Sequence, residues 1–263
     1  MIRALYTAST GMVAQQNNLD VISNNLANVN TKGFKKDRAE FKDLMYQTMS
    51  YSSGATSETT VNPTGIDIGL GVRLSGVQKN FAEGNLENTA NPLDLAITGD
   101  GFFKILLPNG ETGYTRDGAF KLDAEGYMVT GDGYRLEPAI GQFDSEISDV
   151  TISTNGVVTA TVRSTGEKKD IGQIELSKFI NPAGMAPLGG NLFQVTEASG
   201  DELVGKPSDP GIGALSQGFI EGSNVQLVEE MVSMIAAQRA YESNSKTISA
   251  ADEMLQTANN IKK

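Results

Sequence analysis

The 263-residue chain contains no cysteine, no histidine and no tryptophan. Without thiols it has no disulfide, no thiolate nucleophile and no Cys-ligated zinc or iron–sulfur site, so redox compartment is unreadable from cysteine. Without imidazole it also lacks the side chain that ordinarily titrates near neutrality, which removes Ser-His-Asp and Cys-His chemistry together. Aromatic residues are only 6% of the sequence while glycine occurs 29 times, a balance that suits turn-rich β structure better than a compact α/β enzyme. No apolar run approaches the ~20 residues that span a bilayer, and the N-terminus lacks the about 7–15-residue apolar stretch of a secretory signal. The residues alone therefore point to a protein without metal, cofactor or membrane insertion, cytoplasmic by default.

What is present is organised by position. The 39% hydrophobic content is enough for a buried core. Net charge is −11, but residues 1–45 carry six basic and four acidic side chains and residues 224–263 carry four and five. The middle, 46–223, then holds 11 basic and 23 acidic groups, so the acidity is confined there and nucleic acid is excluded as a partner.

From Ile2 to Val29 the pattern is helical, with Leu5, Met12, Leu19 and Leu26 recurring every seven residues and Ile2, Ser9, Gln16 and Ser23 between them. Asn224 to Lys262 repeats the design: Leu227, Met234, Tyr241, Ile248 and Leu255 at seven-residue intervals, interleaved with Met231, Gln238, Ser245, Asp252 and Asn259. Ser223 or Asn224 is the expected N-cap, with Glu229 and Glu230 in the following turns where the helix dipole favours negative charge. Stripes that are half large apolar and half small or polar are too thin for a dry core, yet suit helices packed among several others, where amides can pair across subunits. Leu5, Met12, Leu19, Leu26, Leu227, Met231, Met234, Tyr241, Ile248 and Leu255 are accordingly the candidate assembly residues. An ordinary helical hairpin folded on its own domain is the alternative.

Residues 51–65 (YSSGATSETTVNPTG) have the composition of an extended loop or weakly paired strand. Between about Gly71 and Gly222, short alternating segments punctuated by Gly, Asn-Gly and Asp-Gly predict antiparallel strands joined by tight turns. A weak repeat in GDGFFKI, RDGAFKL and GDGYRLE marks hairpin units. The fold class expected is thus α+β and multidomain, with long terminal helices forming a coiled-coil-like layer and a Gly-rich, antiparallel all-β middle. The expected parts are a helical assembly domain at 1–30 and 224–263, an extended linker or hairpin domain at 31–75 and about 205–223, and an outer β domain at 76–204.

Catalytic chemistry finds little support. GDGFFK at 99–104 has no helix pattern after it to offer an N-terminus to phosphate, so it reads as a turn. Asp117, Asp123 and Glu125 lack the alternation of a calcium loop and read as turn residues rather than a carboxylate pair. The basic run Lys32, Lys35, Lys36, Arg38 and Lys42 is interleaved with Asp37, Glu40 and Asp43 and reads as a solvated or salt-bridged surface. A hydrolase with a carboxylate pair would need a concave pocket flanked by two acids. A trimeric adhesin or fibre stalk would form a fixed small oligomer.

At both ends the residues resemble the axial proteins of the bacterial flagellum, a group of rod, hook and hook-associated subunits. SNNLANVNTKGF at 23–34 is similar to the signature shared by that group, which assigns Asn24, Asn25, Leu26, Ala27, Asn28, Thr31, Gly33 and Phe34 as family residues. GSNVQLVEEMVSMIAAQRAYESNSKTI at 222–248 resembles its C-terminal counterpart, and PLDLAITGDGFFKI and GYTRDGAFKLD its β-domain motifs. Length, FKDLMYQTM and the Ser/Thr/Gly segment favour a rod subunit, with hook and other rod subunits the nearest alternatives. The resemblance implies a non-enzymatic subunit of a helical homopolymer, in contact with other rod subunits, hook protein and surrounding ring proteins. It also implies export through the flagellar type III gate without a cleaved signal peptide, to a periplasm-spanning rod.

Overall fold

The computed structural model describes residues 2–50, 55–57, 60–61, 65–138, 140–143, 147–163 and 167–261. A helix α1 (Ile2–Ala27) opens the chain, short strands fill the middle, and a helix α2 (Leu227–Ile261) closes it. At 1.5 Å per residue the helices are roughly 39 and 52 Å long. Among the described residues no helix is long and apolar enough to cross a membrane. The chain divides into two compact units, 1–27 with 37–78 and 226–263, and 28–36 with 79–225.

In the helical unit, α1 and α2 pack against each other through small side chains. Ala8 and Ala14 of α1 and Ala237 and Ala251 of α2 are buried, with Ile22 the one large apolar residue of α1 among the buried set. Gly11 marks a close approach: a Cβ there would lie 2.9 Å from Asn244 Nδ2. The strands Asp37–Asp43 and Val72–Lys79 pair, and Tyr46–Ser50 pairs antiparallel with Ile66–Gly69, aligning Gln47 with Ile68. This extension lies along α1, with Asn25 bonded to Asp37 near one end and Arg3 NH1 3.7 Å from Met49 Sδ near the other. Of the Ser/Thr/Gly segment, residues 51–54, 58–59 and 62–64 lie outside the described residues; Ala55–Ser57 pairs with Thr60–Val61.

The β unit is built from antiparallel pairs, as the turn spacing predicts. Its largest sheet centres on Phe102–Leu106, which pairs with Thr112–Thr115 on one side and Arg135–Glu137 on the other, and also with Leu176–Lys178. Ile147–Ile152, Val157–Val162 and Lys168–Gln173 make a three-stranded sheet. Alternation does the sorting: Phe103 and Ile105 enter a main core with Leu95, Ile97, Phe120 and Leu176, while Phe102 points the other way into an aromatic cluster with Tyr114, Phe179 and Phe193. Each of the three repeat segments runs into a strand of the large sheet, at Phe102, Lys121 and Arg135.

Two strand pairs close the β unit. Leu86–Asn88 pairs with Phe219–Glu221, and Leu95–Thr98 with Ala214–Gln217. Residues 32–36 join them: Gly33 N–H donates to Glu221 O at 2.9 Å, and Asn191 Nδ2 donates to Lys32 O at 2.8 Å. Gly33 has φ +66°, and a Cβ on it would lie 2.7 Å from Asp117 N, so both the left-handed backbone and the crowding require glycine.

Candidate functional site

Three places carry the chemistry of this molecule: a polar knot at the end of α1, a buried ion cluster in the β unit, and the outer face of the helix pair.

The knot is built on Asn25, which is fully buried. Its Oδ1 accepts the Asp37 backbone N–H at 2.8 Å and its Nδ2 donates to the Asp37 carbonyl at 2.8 Å, so the side chain reads the backbone as a neighbouring strand would. The remaining Nδ2 hydrogen faces Glu230 Oε2 of α2 at 3.3 Å, and Glu230 is itself buried. Asn24, exposed one residue earlier, donates to Asp37 Oδ2 at 3.2 Å. The signature residues thus divide between the units. Leu26 is half-buried and Ala27 exposed in α1. Asn28 and Thr31 form a turn beyond it, with Thr31 Oγ1 3.1 Å from Asn28 Oδ1. Gly33 and Phe34 are buried in the β unit, where Lys79 Nζ sits 5.2 Å above the Phe34 ring.

The ion cluster corrects the reading of the basic run as surface. Lys36, Arg38 and Lys42 are at least partly exposed, but Lys35 has a fully buried side chain, and so does its partner Glu221. Lys35 Nζ donates to Glu221 Oε1 and to the Ala82 carbonyl, both at 2.7 Å, and Gly84 N–H donates to the same Oε1 at 2.8 Å. Arg116 Nε lies 2.9 Å from Glu221 Oε2, an ion pair by distance whose angle falls short of a hydrogen bond. Arg116 NH1 bridges the carbonyls of Gly99 and Gly101, each at 2.8 Å. Two cations therefore share one carboxylate, and three carbonyl oxygens supply the missing negative potential. Burial pushes the Lys35 ammonium below its usual range, with the Glu221 carboxylate opposing and Arg116 reinforcing that shift.

Asn224 corrects a second expectation. It does not cap α2, which begins three residues later; its Oδ1 accepts the Lys36 N–H at 2.7 Å and its Nδ2 donates to the carbonyls of Asn80 and Ala82. Segments 32–36, 80–85 and 221–224 are stitched together by these bonds. The acids singled out as turn residues are turn residues: Asp117 Oδ1 accepts the Ala119 N–H, and Asp123 and Glu125 flank Arg135. Burial raises the Asp117 carboxyl, and nearby Asp94 adds to the rise. A cleft of about 340 Å³ opens beside Arg116, but its acid Asp100 is paired with Lys178 at 3.0 Å.

On the helix pair, Leu5, Met12, Leu19, Leu26, Met234, Ile248 and Leu255 are half-buried beside the small-residue seam, whereas Leu227, Met231 and Tyr241 are exposed. The intervening lines read from the sequence, Ser9, Gln16 and Ser23, and Gln238, Ser245 and Asp252, are exposed in this chain. The seam instead uses Glu230, Ala237, Asn244 and Ala251, one residue earlier than Met231 and its line, because alanine and glycine let the two backbones approach. Turned outward at three- and four-residue spacing are Val228, Val232 and Ile235, with relative exposures of 71%, 62% and 51%. Ile2, Tyr6 and Val13 of α1 are exposed as well.

Sequence reasoning missed Arg116 and Glu221, and it named Lys35 and Glu230 without the buried partners they meet. A signal existed for one of them: Phe219–Glu221 is a short strand next to the C-terminal signature, and an acid in such a strand needs a cation if it turns inward.

Three family models match the chain. One described as "Flagella basal body rod protein" covers residues 5–35, one described as "Flagellar hook protein FlgE/F/G D1 domain" covers 96–160, and one described as "Flagellar basal body rod FlgEFG protein C-terminal" covers 216–261. The chain is 50% identical to the flagellar basal-body rod protein FlgG of Borreliella burgdorferi, over the whole of both chains. It is 48% identical to the protein of that name from Agrobacterium fabrum, over 96% of this chain and 97% of the relative. For the Caulobacter vibrioides protein of the same name identity is 46%, over 99% of this chain and all of the relative. With full-length identity of this size, and with the knot residue Asn25 and the Gly33–Phe34 pair inside one matched segment and Glu221 and Glu230 inside another, the chain belongs to the family of flagellar basal-body rod proteins.

Proposed function

We propose that the chain is a structural subunit of the flagellar distal rod, which polymerises into a rigid helical tube that passes motor torque to the hook and leaves a central export channel. The observation that carries this is the outward stripe of Val228, Val232 and Ile235, flanked by Leu227 and Met231, on a helix pair whose own seam is made of small residues. Each such side chain gains about 1.5–3 kcal/mol when fully buried, and neighbouring copies supply the covering surface. The terminal helices act as a coiled-coil-like inner layer and the β region as the outer wall, with Leu5, Met12, Leu19, Leu26, Leu227, Met231, Met234, Tyr241, Ile248 and Leu255 at or beside subunit contacts.

Repeated heterologous contacts propagate along a helix instead of closing into a ring. By role the chain divides into helical assembly segments at 1–30 and 224–263, a stiffening linker at 31–75 with about 205–223, and an outer β domain at 76–204. Partners are further copies of itself, other rod subunits, hook protein and the surrounding rings. Helices this poorly buried alone fit export in an unfolded state through the flagellar gate, without a cleaved signal, followed by folding on arrival.

Raising the concentration of purified full-length chain should produce filaments visible by electron microscopy, with a parallel gain in helical circular dichroism. Full helix content in dilute monomer, with a fixed small oligomer at every concentration, would sink this reading.

A further inference from the structure

We propose that the cleft beside Arg116 is a binding site for a small organic monocarboxylate with a flat apolar body. The site lies wholly within the β unit, and the proposal goes beyond the rod-subunit reading without resting on it.

The first observation is an incompletely used guanidinium. Arg116 is 4% exposed, and a side chain buried to that degree ordinarily has its N–H groups matched. Its Nη1 donates to the carbonyls of Gly99 and Gly101, each at 2.8 Å. Its Nε meets Glu221 Oε2 at 2.9 Å, off the angle of a hydrogen bond. Nη2, with two more N–H donors, has no acceptor among the described residues. It is not sealed away either, so it belongs to the small part of the residue that solvent reaches. Arg116 lines the cleft of about 340 Å³, which is where that opening leads.

The second observation is charge. Arg116 and Lys35 are both buried and share one carboxylate, Glu221, which leaves one positive charge in the cluster. Glu83 also acts on Lys35 but is exposed, where water screens it. Within the cleft Lys178 Nζ pairs with Asp100 Oδ2 at 3.0 Å, so those two charges cancel. An anion entering the cleft therefore meets net positive charge, and a carboxylate oxygen is a strong acceptor for the unused Nη2 donors.

The walls decide what carries the carboxylate. Phe81, Phe102, Phe179, Ile180 and Pro182 line the rest of the cleft. Phe81 and Phe102 meet edge to face with centroids 5.5 Å apart, and Arg116 Cζ sits 5.8 Å from the Phe102 centroid. Rings set this way take up a further flat apolar group, edge to face or offset. Phosphate or sulfate would find rings where it needs more donors. Apolar walls around a few directed polar groups are the make-up of a small-molecule site, and the volume falls within the usual range.

The test uses the full-length chain, kept dilute, with phenylacetate as the probe. Saturation-transfer NMR and titration calorimetry should show binding with a dissociation constant on the order of 1 mM, as fits a ligand of about ten heavy atoms. Phenylacetamide, which keeps the ring without the charge, should bind about tenfold more weakly, and acetate, which keeps the charge without the ring, more weakly still. Ile180→Glu alters a side chain that is 81% exposed, so the fold should be kept; it should weaken phenylacetate about fivefold and leave phenylacetamide nearly unchanged. Arg116→Lys should abolish the preference for acid over amide. Circular dichroism shows whether that chain is folded, and Ile180→Glu carries the test if it is not. Equal binding of acid and amide, absence of saturation transfer from phenylacetate, indifference to Ile180→Glu, or an acid preference kept in folded Arg116→Lys would each overturn the proposal. If the dilute chain ignores phenylacetate while Ile180→Glu raises the concentration at which filaments form, the cleft takes a carboxylate side chain of another copy and the small-acid assignment falls.

Discussion

The two units of this chain solve the burial problem in opposite ways. In the β unit, Leu95, Ile97, Phe103, Ile105 and Leu176 are completely buried, and every charged side chain in the centre of the ion cluster has a counter-charge or a carbonyl. In the two helices the buried positions are chiefly alanine, joined by Ile22, Asn25 and Glu230, while Val228, Val232 and Ile235 point outward. The first composition is that of a domain able to fold by itself. The second is that of a component whose apolar surface is completed by other molecules. A helical polymer subunit needs both, a body that is stable alone and a sticky element whose burial is deferred until assembly.

The contrast can be sharpened most strongly in the β unit. Glu221→Ala would leave Lys35 and Arg116 buried without their shared carboxylate, at a cost of about 3–5 kcal/mol. Urea denaturation should show that loss in dilute protein, with the same loss whether or not the chain has polymerised. A stability within about 0.5 kcal/mol of the parent would mean that the carbonyls of Ala82, Gly99 and Gly101 suffice for both cations.

In the helical unit the expected pattern reverses. Val232→Glu should leave the dilute chain within about 0.5 kcal/mol of the parent, because the side chain is exposed, yet it should sharply raise the concentration needed to form filaments. Sedimentation against concentration measures that shift. Unchanged assembly would place this stripe on the free surface of the polymer.

The smallest effect concerns proton linkage. Burial holds Lys35 below its ordinary value of 10.5 in the folded chain. Between the folded value and 10.5 the unfolded chain therefore binds more protons, so the stability of the parent should rise with pH across that window. Below the folded value both states are protonated and the contribution is constant. Compared with Lys35→Met, the parent should gain stability as pH climbs toward 10.5; a parallel pair of curves would show that Lys35 titrates as an ordinary surface lysine.

How much of this was legible beforehand varied with the kind of pattern. The two helices and their approximate ends were readable because a 3.6-residue period needs only local spacing, and Ile2–Ala27 and Leu227–Ile261 fall close to the expected spans. The antiparallel strands were readable from turn residues. The seam was not, because the seven-residue lines of leucine and methionine drew attention to the largest side chains while the contact is made one position away by the smallest. Lys35 was misplaced for a related reason. Within a basic run nothing distinguishes the one lysine that turns inward, since its partner Glu221 is 186 residues away.

The amino-acid sequence by itself determined the order helix, β-rich middle, helix, the absence of thiol and imidazole chemistry, the concentration of acidity between the helices, and the motifs that mark the family. Those properties are local or compositional. Only the tertiary structure decided that Asn25 spends its amide on Asp37 and Glu230, that Asn224 ties Lys36 to Asn80 and Ala82 instead of capping α2, and that Lys35 and Arg116 share Glu221. Each of those choices depends on groups brought together from distant positions, and a polar side chain shows no local sign of which distant partner will satisfy it once water is excluded.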